Sequence, residues 1–223
     1  MLHGRAVPIF QGAIFDLDGT VADNMPWHAR AWIELSLREG GVPVDEAWVY
    51  ARAGMKNDDL IPELVGRALT AQELERLSAR KEELYRALYR AHLTPLRGLS
   101  AFLDVLQARG VKLAVASAAP RQNRDFLLDG LGLRGRFSAE VGPEHAARGK
   151  PAPDMFLAAA AALAVEPALC LVVEDAVNGV KAAVAAGSPC LAVTTTATEQ
   201  ALRAAGARWV TPDFSALPAD LFA

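Results

Sequence analysis

Phe15-Asp16-Leu17-Asp18-Gly19-Thr20-Val21-Ala22-Asp23 follows the apolar run Ala13-Ile14-Phe15 without a break. Carboxylates are costly at the end of a buried strand unless something pairs with them. Asp16 and Asp18, one residue apart on either side of Leu17, repel each other. A chain that keeps both needs a compensating charge. Pro8 to Phe15 reads as the first β-strand, and the acids sit where it ends.

Working outward, the second half of the chain alternates strand-like and helix-like stretches. Val111–Ala116, Leu169–Val173, Cys190–Val193 and a short Arg208–Val210 read as strands. Leu99–Arg109, Gln122–Gly130, Pro153–Ala164 and Ala176–Ala186 read as helices, and Gly110, Gly132 and Gly187 follow helical periods as C-terminal caps do. Strands alternating with helices imply a parallel sheet covered on both faces.

Asn24 to His92 breaks this rhythm. Trp27–Arg38 and Asp58–Arg67 have helical patterns, and Thr70-Ala71-Gln72-Glu73 is a capping box. The helix it opens runs to about His92 with Leu74, Leu77, Leu84 and Leu88 along one side. Pro95 and Gly98 punctuate the return. The expected architecture is an α/β, doubly wound Rossmann-like sheet from 1–23 and 96–223, with an all-α bundle inserted over 24–95.

In a parallel sheet the carboxyl ends of the strands share one edge, and ligands bind there. Asp16 and Asp18 follow the first strand, Ser117 follows Val111–Ala116, Glu174 and Asp175 follow Leu169–Val173, and Lys150 precedes a helix. Clustered carboxylates without histidine or thiolate favour a hard cation, here Mg²⁺. It would offset the repulsion among Asp16, Asp18 and Asp175 and neutralise an arriving phosphate. Asp16 can then act as a nucleophile, forming an aspartyl-phosphate. Asp18 would protonate the leaving alkoxide and later activate water. Ser117, with Ala118 beside it, and Lys150 would hold the phosphoryl oxygens. Singly, each residue has a plainer reading: Asp18-Gly19 as a turn, Lys150 as a loop lysine, Ser117 and Glu174-Asp175 as helix caps.

Composition narrows the class. The chain has 223 residues, 52% hydrophobic and 22% charged, with a net charge of −3 and no basic run, which argues against nucleic acid. No apolar stretch is long enough to span a bilayer and the N-terminal apolar part is short for a signal peptide. Cys170 and Cys190 lie in apolar runs and read as reduced, buried thiols, so a cytoplasmic location is expected. A monomer acting on a small phosphorylated metabolite is the expected unit.

The four motifs together resemble the haloacid dehalogenase superfamily, within it the β-phosphoglucomutase-like phosphatases with a helical cap. The resemblance covers nearly the whole chain: Asp16-Leu17-Asp18-Gly19-Thr20 as the first motif, Ser117 the second, Lys150 in Gly149-Lys150-Pro151-Ala152-Pro153-Asp154 the third, and Glu174-Asp175 the fourth. It implies that Asp16 is nucleophile and metal ligand. It also implies that Asp18 binds Mg²⁺ through its backbone carbonyl, that Asp175 is a ligand, and that Glu174 supports through water.

Among the relatives, Asp18 argues against dehalogenase and phosphonatase chemistry. A mutase must hold a second phosphate, and the positions that do so in mutase relatives correspond to Asn57, Ala119 and Pro120, all uncharged. A phosphatase is therefore the reading, with a phosphosugar mutase as the alternative. His28 is either a structural histidine or a cap residue that positions Asp18. Lys81 is either a solvated charge or a substrate contact. Lys56 and Asn57 sit on a turn that either faces the site or is plain surface. A receiver-like signalling domain would lack both Asp18 and the helical insertion. A non-catalytic descendant would be expected to have lost a core residue, and none is missing.

Overall fold

The computed structural model describes residues 10–223. In chain order it holds β1 (Gly12–Phe15), α1 (Met25–Glu39), α2 (Glu46–Ala51), α3 (Asn57–Val65), α4 (Ala71–Tyr89), α5 (Leu99–Ala108) and β2 (Lys112–Ala116). These are followed by α6 (Arg121–Gly130), β3 (Ala139–Val141), α7 (Asp154–Leu163), β4 (Cys170–Glu174), α8 (Val177–Ala185), β5 (Cys190–Val193), α9 (Glu199–Ala205) and β6 (Trp209–Thr211). All strands pair in parallel in the order β3-β2-β1-β4-β5-β6. This is the doubly wound sheet the alternation implied.

The side-chain period of two splits each strand between two cores. Phe15, Leu113, Val115, Leu171 and Val173 pack with α5, α6 and the C-terminal segment. Ile14, Ala114, Ala116 and Val172 pack with α7, α8 and Leu202 of α9. Both faces are covered, which is why these strands read as unbroken apolar runs.

The helices α1–α4 gather around a third cluster, with Trp32, Leu35, Ile61, Leu64 and Leu77. The predicted capping box is present: Glu73 N–H donates to Thr70 Oγ1, and Glu73 Oε2 accepts from Thr70 N–H at 2.9 Å. The α4 helix stops at Tyr89, and one turn of 3₁₀ helix carries the chain to His92. The two crossings between sheet and helices lie side by side, tied by Leu96 N–H donating to Val21 O at 2.8 Å.

Three details depart from expectation. The first strand begins at Gly12 rather than Pro8; Pro8 and Ile9 lie outside the described residues. The edge strand β3 reads Ala-Glu-Val and is only partly buried, so it carries no apolar run. The short helices α2 and α9 also lack a periodic pattern long enough to read.

Candidate active site

The register fixes the centre. Phe15 pairs with Val115 on one side and Val173 on the other, so the residues after β1, β2 and β4 emerge together at the carboxyl edge. Asp16, Asp18, Ser117, Ala118 and Asp175 line one cleft with His28, Asn57 and Lys81 from the helices above.

Lys150 reaches in beneath. Its Nζ donates to Asp16 Oδ1 and to Glu174 Oε1, each at 2.6 Å, and the side chain is fully buried. Glu174 is fully occupied: Oε1 takes Lys150, and Oε2 accepts the amides of Asp175 at 2.8 Å and Ala176 at 3.0 Å. It therefore anchors Lys150 and the start of α8.

Burial pushes the Asp16 carboxyl up to about 8, with Glu174 and Asp18 adding to the shift while Lys150 opposes it. Burial likewise holds Asp175 well above the ordinary carboxylate range, helped by Glu174 and Asp16. Carboxylate oxygens of Asp16, Glu174 and Asp175 lie within 4.8 Å of one another. Asp175 Oδ1 accepts from Thr20 Oγ1 at 3.0 Å, whereas its buried Oδ2 has no hydrogen-bond partner among the described residues. A pocket of three carboxylates against one ammonium, with one orphaned oxygen, fits a hard divalent cation.

Asp18 is held differently. Asn24 Nδ2 donates to its Oδ1 at 2.6 Å, and Asn24 Oδ1 accepts the Gly19 amide at 2.8 Å. His28 Nε2 lies 3.1 Å from the same Oδ1, close in charge terms although not aligned as a hydrogen bond. Burial alone would raise the Asp18 carboxyl, but His28, Asn24 and Lys81 outweigh it and the net shift is downward. The two motif aspartates, so close in sequence, are thus pushed in opposite directions by their surroundings, Asp16 by burial and Asp18 by its polar neighbours.

Lys81, a candidate solvated charge, is buried: it donates to His28 Nδ1 at 2.8 Å and Glu82 Oε1 at 2.9 Å and lies over the Trp32 ring. Asn57 donates to Glu82 Oε1 at 2.7 Å and Ser78 Oγ at 2.9 Å. From α6, Asn123 donates to Glu82 Oε2 at 2.5 Å. Ser117 Oγ is buried and accepts the Ala119 amide at 3.1 Å. Lys56 is the exception: its ammonium turns from the cleft to the carbonyls of Pro143 and Ala146. Of the two readings of Lys56, the one in which it faces the site does not match this placement, because its ammonium bonds those carbonyls instead.

Sequence reasoning missed Thr20, Asn24, Glu82 and Asn123. Asn24 sits where a helix N-cap would, just before Pro26, yet makes no capping bond and spends its side chain on Asp18 and Gly19. An asparagine flanking the first motif was the available signal. Glu82 and Asn123 meet only through the fold.

Comparison with known proteins agrees with this geometry. The haloacid dehalogenase-like hydrolase family matches residues 10–187. The chain is 33% identical over 180 residues to the fructose-1-phosphate phosphatase YqaB of Escherichia coli, covering 80% of this chain and 93% of that protein. It is 34% identical over 185 residues to β-phosphoglucomutase of Bacillus subtilis, covering 79% and 80%. A chloroplastic 5-amino-6-(5-phospho-D-ribitylamino)uracil phosphatase of Arabidopsis thaliana is 31% identical over 183 residues, 82% of this chain but only 49% of that longer protein. A haloacid dehalogenase family IA hydrolase structure from Entamoeba histolytica superposes with a TM-score of 0.84 at 24% identity, covering 95% of this chain and 96% of that one, a likeness of fold. No described helix is long and apolar enough to cross a membrane. By its motifs, its sheet order and its relatives, this chain belongs to the haloacid dehalogenase-like hydrolases.

Proposed function

We propose that the protein is a Mg²⁺-dependent phosphatase of a small phosphorylated metabolite, of the sugar-phosphate type, working through an aspartyl-phosphate on Asp16. One observation carries the reading: Lys150 holds Asp16 Oδ1 at 2.6 Å while Asp18, gripped by Asn24 and His28, lines the same cleft. Asp16, Asp175 and the Asp18 backbone would hold the cation. When bound, it would supply positive charge that keeps Asp16 ionised and offsets the phosphoryl charge.

With Oδ1 pinned by Lys150, the second Asp16 oxygen is left for phosphorus. It forms the new O–P bond as the ester O–P bond breaks, and Asp18 gives the leaving oxygen a proton. Asp18 then takes a proton from water, which attacks phosphorus and releases phosphate and Asp16. Lys150 and Ser117 stabilise the charge spread over the phosphoryl oxygens. The relatives named as phosphatases support this class of substrate.

The inserted helices, over 24–95, would act as the cap that reads the leaving group. The mutase alternative rests on the B. subtilis relative and on Arg52, a cation on the cleft wall. It is weakened by uncharged Asn57 and Ala119 on that wall. Incubation with β-glucose 1-phosphate and a trace of the bisphosphate separates the two: free phosphate marks a phosphatase, glucose 6-phosphate a mutase. A panel of phosphorylated metabolites with Mg²⁺ or with EDTA tests the main proposal. Absence of Mg²⁺-dependent phosphate release from every member would refute it.

A further inference from the structure

Lys56 has no role in the chemistry above, yet it makes one of the most specific contacts between helices and sheet. Its Nζ donates to Ala146 O at 2.6 Å and Pro143 O at 3.2 Å, across the junction between the two parts. Those carbonyls border a single 3₁₀ turn, Pro143–His145, between β3 and Lys150. Pro143 O also accepts the Ala146 amide at 3.3 Å, so the ammonium adds a second donor there and a side-chain donor to Ala146 O at the end of the turn.

The contact is not isolated. Asn178 at the start of α8 donates to Ala53 O at 3.1 Å. A β-carbon on Gly54 would lie 3.3 Å from Lys150 Cδ, and one on Gly149 3.1 Å from Lys56 Cγ. The loop 53–57 therefore lies directly on the catalytic lysine and its neighbours. Ala53, Gly54, Met55 and Asn57 of that loop line the cleft, and Lys56 alone among them turns outward to the core. Asp16, Lys150 and Asp175 are almost wholly buried, and loop residues share the cleft wall with Asp16 and Asp175.

We propose that Lys56 is a positioning residue that latches loop 53–57 onto the core: its bonds to Pro143 O and Ala146 O form on closure, seating Met55 and Asn57 against the leaving group and sealing Lys150 from water. This rests on the phosphatase reading above for its effect on turnover, but the latch itself has an independent readout. Neutral acceptors suit the task, because a carboxylate partner would bind the ammonium too tightly for a loop that must reopen.

The test uses the full-length protein and the variants Lys56→Met, Lys56→Arg and Asn178→Ala. Amide hydrogen exchange at 53–57 and at 143–149 is followed together with p-nitrophenyl phosphate turnover, Mg²⁺ affinity by calorimetry, and thermal midpoint. A latch predicts that Lys56→Met speeds exchange in both segments by about tenfold, the scale of one charge-assisted hydrogen bond. It also predicts a comparable fall in kcat/KM, unchanged Mg²⁺ affinity and a midpoint close to the parent's. Lys56→Arg, which can still reach two carbonyls, should recover most of both effects, and Asn178→Ala should loosen the same two segments. Unchanged exchange in Lys56→Met overturns the latch. So does faster exchange confined to the helices with a lowered midpoint, which would make Lys56 a residue of cap folding. If the parent releases no phosphate, the functional reading fails while the exchange measurement still decides the latch.

Discussion

Lys81 donates to Nδ1 of His28 across 2.8 Å, and this one bond fixes which way the histidine faces chemically. An ammonium has no lone pair, so Nδ1 must accept, and the ring hydrogen is left to Nε2, 3.1 Å from Asp18 Oδ1. The ring itself is stacked on Tyr85 at 3.7 Å between centroids, which holds its plane. Asp18, the proposed acid/base, thus has its charged and polar neighbours, His28 and Asn24, at the first of the helices above the sheet. His28→Gln should lower kcat on an alkyl phosphate by about 10- to 100-fold, a share of what general acid–base help is worth. The loss should be much smaller on p-nitrophenyl phosphate, whose leaving group needs little protonation. Equal losses on both substrates would place His28 outside proton transfer.

Gly19 is a glycine whose absence of a side chain the site itself demands. Its φ is +80°, and a β-carbon there would stand 1.9 Å from Asp175 Oδ2 and 2.8 Å from Thr196 Oγ1. Gly19→Ala must displace Asp175, so Mg²⁺ affinity should fall by about 10- to 100-fold, as when groups supporting a metal ligand are disturbed. Calorimetric titration of the purified variant checks this; parent-like affinity would contradict the placement of Asp175 in the metal site.

Glu82 links protonation to stability. Burial raises its carboxyl, but Lys81, His28 and Asn57 more than offset that, and it lies below the ordinary glutamate value. A folded value below the unfolded one favours the fold above the unfolded value of ~4.3, and the benefit is lost as pH falls through the folded value. Urea unfolding between pH 3 and 7 should therefore show Glu82→Gln with a flatter acid limb than the parent. Glu82→Ala leaves Lys81 buried with its carboxylate gone and should cost about 3–5 kcal/mol at neutral pH. Parallel acid limbs in parent and Glu82→Gln would show that the pair does not couple to folding.

Much of the centre was legible because its carboxylates and serine follow apolar runs. Asp16 follows β1, Ser117 follows β2, and Asp175 follows β4, so strand patterns and the shared carboxyl edge together bring them to one place. The capping box of α4 was legible for the same local reason. What stayed hidden is what the chain brings together over long separations. Glu82 and Asn123 meet through packing of α4 on α6, and neither has a local signature. Lys56, after the turn at Gly54, read equally as facing the site or as plain surface; only the position of the 143–146 carbonyls reveals which way its long side chain goes. The strand β3 escaped because an edge strand with an exposed face needs no apolar run.

The most direct measurement is to trap the phosphoryl-enzyme on Asp16. In Asp18→Asn the first step with p-nitrophenyl phosphate still proceeds, because p-nitrophenolate leaves without a proton, while the second step lacks its base. Rapid mixing with Mg²⁺ should give a nitrophenolate burst of about one equivalent per enzyme, followed by turnover slowed ~10²–10⁴-fold. Acid quench and peptide mass spectrometry should find the phosphoryl group on Asp16, and Asp16→Asn should give neither burst nor turnover. A burst-free decline in Asp18→Asn with no phosphopeptide, or turnover in Asp16→Asn within about tenfold of the parent, would contradict covalent catalysis by Asp16.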